Sequence, residues 1–164
     1  MIEDITEISL LTRREIEARI AGPLIKAFME EFGREQALAV VKRVIKPLAR
    51  ESGEQLAKKV GGNSTADFAN GLKTFWESGG AYEKEELALS ETRYDFNIKR
   101  CLYAEMYKEL GLADLGVVLS CGRDFDMING FNPRMTLGRT KTIMEGHDIC
   151  DFRIHLRLGN STTI

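Results

Sequence analysis

No apolar run in this chain approaches the roughly 20 residues that a bilayer-crossing helix requires, so the sequence offers no membrane span. Familiar cofactor and catalytic signatures are missing too. The chain contains no P-loop, no G-x-G-x-x-G, no G-x-S-x-G elbow and no H-E-x-x-H, which removes the commonest nucleotide-dependent and serine-hydrolase chemistries. Positive charge is not in excess: 23 Lys and Arg stand against 25 Asp and Glu, a net charge of −2, and the basic residues are scattered. A phosphate backbone is held by a concentrated basic surface, so a nucleic-acid partner is not expected, and neither is a membrane.

Cysteine is scarce and odd in number. Cys101, Cys121 and Cys150 in a chain of this size point to free thiols rather than a disulfide framework. The opening MIEDITEISL is acidic and has no long apolar segment behind it, unlike a secretory or mitochondrial leader. The expectation is a cytoplasmic protein.

What is present is the composition of a globular domain. With 43% hydrophobic and 29% charged residues over 164 positions, residues 1–164 suffice for one domain with a hydrophobic core and are too few for two. A helical region is expected over about 1–80 and an α+β region over about 84–158.

The helical region reads in three pieces. Thr12 and Glu15 have the spacing of a capping box, and Ile16, Ile20, Leu24, Phe28 and Phe32 recur every four residues until Gly33 stops the helix. A second helix is predicted from about Arg34 to Lys59, with Leu38, Val41, Val44, Ile45 and Leu48 on its buried face. Pro23 and Pro47 are expected to kink or break the two. After Gly61-Gly62-Asn63, Ser64 can cap a third helix carrying Phe68, Leu72, Phe75 and Trp76, ended by Gly79-Gly80.

The period then changes. Residues Leu87 to Ile98 alternate as one half-buried strand, and Arg100 to Leu110 return to helical spacing. The run LADLGVVLSC is expected to lie buried, and Gly130-Phe131-Asn132-Pro133 to turn. Met135 to Ile143 and Cys150 to Leu158 alternate again, joined by Glu145-Gly146-His147-Asp148 as a hairpin. Helices first and strands close together later predict an α+β fold, with the helical half packed on a small antiparallel sheet.

Several residues carry possible chemistry, each with a structural alternative. Cys101 falls opposite the apolar side of its helix, where a helix N-terminus with Lys99 and Arg100 beside it would lower the thiol pKa; a semi-exposed packing cysteine is the other reading. Cys121 is followed by Arg123, Asp124 and Asp126, giving a nucleophile, an anion clamp and a proton acceptor on one turn. It also fits a small buried hydrophobe beside a polar turn. Cys150 alternates with Phe152, Ile154, Leu156 and Leu158 and reads as core. Arg139 shares the apolar strand face of Met135, Leu137 and Ile143, so it either pairs with Asp124 or Glu145 or awaits a ligand anion. His147 and Cys150, with Cys101 and Cys121, have the ligand types of a Cys3His zinc site, but the long spacings and lack of a C-x-x-C knuckle count against it. No cofactor is expected apart from that zinc alternative.

The last third resembles the L-2-amino-thiazoline-4-carboxylic acid hydrolase family. The resemblance is carried by Cys101-x-Tyr103-Ala104-Glu105, Glu109-Leu110-Gly111, Ser120-Cys121-x-Arg123-Asp124, Gly130-Phe131-Asn132-Pro133, Arg139-Thr140-x-Thr142 and Cys150-Asp151-Phe152-Arg153. It implies hydrolysis of L-2-amino-Δ2-thiazoline-4-carboxylate to N-carbamoyl-L-cysteine, a step in bacterial cysteine formation. Residue chemistry then suggests Cys121 or Cys101 as nucleophile or orienter of water and Asp124 as general base. Arg139 or Arg123 would grip the substrate carboxylate, with Asn132 as a further binding residue. The ending also looks, more distantly, like vinyl-reductase-type small-molecule-binding domains, which implies a ligand or metal sensor without catalysis. A third reading has the helical half forming a homodimer.

Overall fold

A serine rather than a threonine starts the first helix. In the computed structural model, which describes residues 8–75 and 80–157, the Ser9 Oγ accepts from the Thr12 backbone N–H at 3.1 Å. The expected capping box at Thr12 and Glu15 is therefore corrected by one turn, and Glu15 instead accepts from Arg19. Helix α1 runs Leu10–Phe32 and α2 runs Arg34–Val60, separated by Gly33 alone at φ 87°. Only a glycine takes that φ without strain, which is why one residue suffices to reverse the chain. Neither Pro23 nor Pro47 breaks its helix.

The large apolar residues of both helices are not where hydrophobicity alone would put them. On α1 the core side is taken by Ala18, Gly22 and Ile25, while Ile16, Ile20, Leu24, Phe28 and Phe32 stand in solvent. On α2 the core side is Ala37, Ala49, Gly53 and Leu56. Leu38, Val41 and Ile45 are partly buried as expected, but Val44 and Leu48 are exposed, a correction to the predicted face. Small residues win the inner side because the neighbouring elements come close. A Cβ on Gly53 would sit 2.0 Å from the Met127 carbonyl oxygen.

Helix α3, Thr65–Phe75, is capped as predicted. Ser64 Oγ accepts from the Asp67 N–H, and the Asp67 carboxylate accepts in return from the Ser64 N–H. Trp76 and Gly79 lie outside the described residues.

The predicted single strand over Leu87–Ile98 is two strands, β1 (Tyr82–Leu89) and β2 (Arg93–Cys101). Their turn, Ser90-Glu91-Thr92, holds none of the usual Gly, Pro, Asn or Asp signals. Ser90 makes it instead, its Oγ accepting from the Arg93 N–H. Cys101 is therefore the last residue of β2, and α4 (Leu102–Glu109) starts after it.

The run LADLGVVLSC forms α5 (Ala113–Gly116) and a π-helical turn, Val117–Cys121. It continues into α6 (Arg123–Phe131), a helix absent from the sequence reading, at whose end the predicted turn Gly130-Phe131-Asn132-Pro133 falls. Strand β3 is Met135–Gly138, shorter than predicted; a 3-10 turn at Ile143–Glu145 precedes β4, Cys150–Leu156. Leu158 lies outside the described residues. The four strands are all antiparallel in the order β1-β2-β4-β3, so the fold is α+β. One apolar cluster fills the space between the sheet and α2, α3 and α6; a second joins α1, α4 and α5. Cys101 and Ile143 touch both.

Candidate functional site

Helix α6 carries the central charged residues, and its position follows from glycine. Besides Gly53, Gly130 has no room for a side chain, since a Cβ there would lie 2.0 Å from the Arg50 carbonyl oxygen. The two glycines let α2 and α6 touch backbone to backbone. Met127, Ile128 and Phe131 of the same helix pack into the apolar cluster on the sheet, and its first turn carries Arg123 and Asp124. The π turn before it is a wide turn of a kind frequent at functional sites.

Arg139 leaves the end of β3 rather than sitting on the strand, which corrects the predicted Met135–Ile143 alternation. The segment after it is held by Asp151, which accepts from the Thr140 and Lys141 N–H groups and from the Thr140 hydroxyl. That anchoring aims the guanidinium inward. Its Nη1 donates to Asp124 Oδ2 at 2.5 Å, and its Nη2 donates to the Cys121 carbonyl at 2.9 Å. Its planar group lies between the Phe125 and Phe152 rings, 5.0 and 5.1 Å from their centroids. Of the two partners foreseen for Arg139, Asp124 is the one it meets. Burial pushes the Asp124 carboxyl upward against the pull of Arg139, and among the described residues nothing hydrogen-bonds its Oδ1.

These groups line a cavity of about 110 Å³ between the two apolar clusters. Cys101, Cys121 and Cys150 all reach it, from the end of β2, the π turn and the start of β4. Phe96, Ile98, Phe152 and Ile154 form its sheet wall. The register puts Phe96 opposite Phe152 and Ile98 opposite Cys150, with the two rings stacked at 4.7 Å. Alternation along β4 thus sends Cys150 inward, as the sequence predicts.

The thiols differ from expectation in their acidity. Burial raises all three. For Cys101, whose pKa was expected to fall, burial outweighs the opposing backbone N–H groups of Ala104 and Tyr103. Cys121 is raised most, by burial and then by the Asp124 charge. Cys150, whose Sγ accepts from the Ile143 N–H, is pushed up to about 11. At neutral pH these are protonated, weakly nucleophilic thiols.

Two more guanidiniums reach the cavity, Arg14 from α1 and Arg123 from α6. Arg14 pairs with Glu17. Arg123 makes no hydrogen bond or ion pair among the described residues, and burial followed by the nearby Arg14 charge lowers it to about 10. It stays cationic, half-buried and unpartnered, which is the condition of a group built to receive an anion.

Cys101, Cys121, Cys150, Arg123, Asp124 and Arg139 are therefore brought together. Asn132 is not. It is buried elsewhere, donating to the Asn63 carbonyl and accepting from the Arg134 N–H, so its amide serves the turn after α6. His147 is exposed and outside the lining, and among the described residues no group of three His, Cys, Asp or Glu side chains is arranged to hold a metal ion. Arg14, Tyr103 and Ser120 line the cavity without having been foreseen as site residues. The sequence signal for Arg14 was slight: a charged residue one step from the core-facing positions of α1.

A family model described as L-2-amino-thiazoline-4-carboxylic acid hydrolase matches residues 13–154. No curated protein matches the chain. Among solved structures, one similar fold is trafficking protein particle complex subunit 3 from Naegleria fowleri, covalently bound to palmitic acid. It is 14% identical, with a TM-score of 0.55 over 90% of this chain and 96% of that one. Another is the phenol-responsive sensory domain of the transcription activator PoxR with phenol, 13% identical, with a TM-score of 0.53 over 83% of this chain and 72% of that one. At such identities the likeness is one of fold.

Proposed function

The chain belongs to the L-2-amino-thiazoline-4-carboxylic acid hydrolase family, and from that premise we propose that it hydrolyses a small cyclic amidine carrying a carboxylate, L-2-amino-thiazoline-4-carboxylate or a close relative. The observation that carries this reading is the pairing, in one small cavity, of an unpartnered guanidinium with a buried carboxylate and three thiols. The cavity is on the scale of the apolar one of about 150 Å³ that admits a benzene ring in another protein, so it suits a five-membered ring.

In this reading Arg123, with Arg14 beside it, grips the substrate carboxylate. Arg139 is already engaged by Asp124 and the Cys121 carbonyl, so it positions Asp124 instead. Asp124, raised by burial, accepts a proton from water as the water oxygen attacks the ring carbon between sulfur and nitrogen. The tetrahedral centre collapses by breaking the carbon–sulfur bond. One water proton ends on the sulfur and the other on the former ring nitrogen, giving the N-carbamoyl thiol. The protonated thiols of Cys101 and Cys121 fit a role in orienting water or the leaving sulfur better than direct attack as thiolates. Cytoplasmic location and a role in cysteine metabolism belong to the same proposal.

The test is incubation of the purified protein with the thiazoline while free thiol is followed. Turnover is expected, with Asp124→Asn abolishing it and Cys101→Ser and Cys121→Ser each retaining part of it. An absence of thiol release with intact protein would sink the reading.

A second reading is favoured by the apolar sheet wall and by the ligands of the two similar folds, palmitic acid and phenol: a binding module without catalysis. At about 110 Å³ the cavity falls short of the roughly 300–1,000 Å³ typical of larger ligands, so a phenol-sized ring suits it better than a long acyl chain. Saturable phenol binding together with no turnover of the thiazoline is its signature.

A further inference from the structure

The cavity carries more positive charge than its own carboxylate balances. Arg14, Arg123 and Arg139 line it against Asp124 alone among the described residues, and Asp124 is taken by Arg139. Two guanidiniums are left over. The Arg14 side chain is only 14% exposed, so water does little to screen the two from each other. The charge that stands against them comes from outside the cavity. A groove of about 460 Å³ runs between α1 and α2, and Leu10, Arg14, Ser52 and Arg123 line both it and the cavity. Glu17 lines the groove but not the cavity, and it pairs with Arg14, three residues before it on α1. The groove's other carboxylate, Glu51, accepts instead from the Gln55 amide.

We propose that Glu17 is a displaceable counter-ion: its carboxylate occupies Arg14 until the acid group of a ligand takes its place, and it thereby sets how tightly the cavity binds acids. This rests on the reading that Arg14 and Arg123 hold the ligand's carboxylate. Three features make Glu17 the partner that yields. Its side chain is 56% exposed, so on release the carboxylate regains water, whereas the guanidinium it leaves cannot. Its carboxylate has no hydrogen bond among the described residues other than the one from Arg14, so no second contact holds it in place. It also reaches Arg14 from the groove, while Arg14 lines the cavity as well, so a ligand in the cavity can approach the same guanidinium. In the empty protein the resident carboxylate offsets the repulsion between two like charges. A ligand acid must compete with it, and a neutral ring need not.

Calorimetric titration of the full chain with benzoate, and with benzamide as its neutral counterpart, tests this without calling on turnover. Benzoate should bind, and Arg14→Leu and Arg123→Leu should each weaken it about tenfold or more, as for a lost charge-assisted contact. Glu17→Gln should tighten benzoate about fivefold, the equivalent of one exposed ion pair, and leave benzamide where it was. With Arg14→Leu already in place, Glu17→Gln should no longer tighten benzoate. Glu15→Gln removes the same charge from the same helix, but Glu15 is held by Arg19 and lies outside both linings, so it should change nothing. Weaker benzoate binding in Glu17→Gln overturns the proposal, because Glu17 is then a brace for Arg14. Equal tightening by Glu15→Gln also overturns it, reducing the effect to net charge. Benzoate that Arg14→Leu weakens and Glu17→Gln leaves unmoved removes the counter-ion role while the acid-gripping reading stands. Benzoate that fails to bind, or that ignores both arginine substitutions, removes the two together.

Discussion

The thiol-lined cavity and the outer face of the α1–α2 hairpin both invert the usual placing of side chains, in opposite directions. In the cavity, charged groups lie inside: Arg139 is 7% exposed and Asp124 19%. On the hairpin, phenylalanines and isoleucines lie outside. The buried charges are bound by ion pairing, a backbone carbonyl and two aromatic faces, because an unpaired charge would not be tolerated there. Among the exposed apolar groups, Phe28 and Phe32 touch each other, their ring centroids 6.2 Å apart. A violation with partners built around it marks a site inside the molecule. One without them leaves apolar area in solvent, as on the outer side of α1 and α2.

The sharpest way to break that contrast is to remove half of the buried pair. Asp124→Ala should cost about 3–5 kcal/mol by chemical denaturation because it strands Arg139. The double change Asp124→Leu with Arg139→Met should recover much of the loss. A cost under about 1 kcal/mol would mean that water screens the pair. Next in size, Gly130→Ala should destabilise by about 1–3 kcal/mol or more, since its Cβ meets backbone rather than a movable side chain. An unchanged midpoint would show that α2 and α6 can separate freely.

Arg123→Leu should raise KM for the thiazoline about tenfold or more with little change in fold, as expected on losing one charge-assisted contact. An unaltered KM would move the carboxylate elsewhere. The thiols set a pH dependence of definite sign. Their folded pKa values are raised, to about 11 for Cys150 against an ordinary 9.0. Stability from this source is therefore complete below pH about 9 and is lost as pH rises towards 11, where the unfolded chain ionises first. The alkaline decline should be shallower in Cys150→Ala. Alkylation of the native thiols should be slow at neutral pH and climb with pH without a plateau below 9. Smallest of all, Val44→Lys should change monomer stability by only about 0.5 kcal/mol, although it alters the same class of residue that is indispensable in the core.

Part of the site was legible in the sequence. Cys121-x-Arg123-Asp124 was a marked grouping because three reactive types fell within one turn. Arg139 stood out as a charge among apolar alternation, and Cys150 followed the strand period. Asn132 was misjudged because a turn amide and a ligand-binding amide look alike along a chain. The acidity of Cys101 was misjudged because neighbours in sequence, Lys99 and Arg100, do not determine burial. The β1–β2 turn was missed because Ser90 does the work of a glycine or asparagine.

Local pattern by itself determined which segments are helix and which are strand over most of the chain, the capping of α3 by Ser64 and the inward alternation of β4, since these depend on neighbours a few residues apart. The family signature was also written there. Only the tertiary structure decided which face of α1 and α2 is inner. That choice turns on the close approach of the Leu112 side chain at Gly22 and of the α6 backbone at Gly53, and small residues satisfy it while larger, more hydrophobic ones cannot. Only it decided, too, that Arg139 would meet Asp124 while Arg123 has no ion-pair partner among the described residues, because the partner of a buried charge is set by distances across the fold.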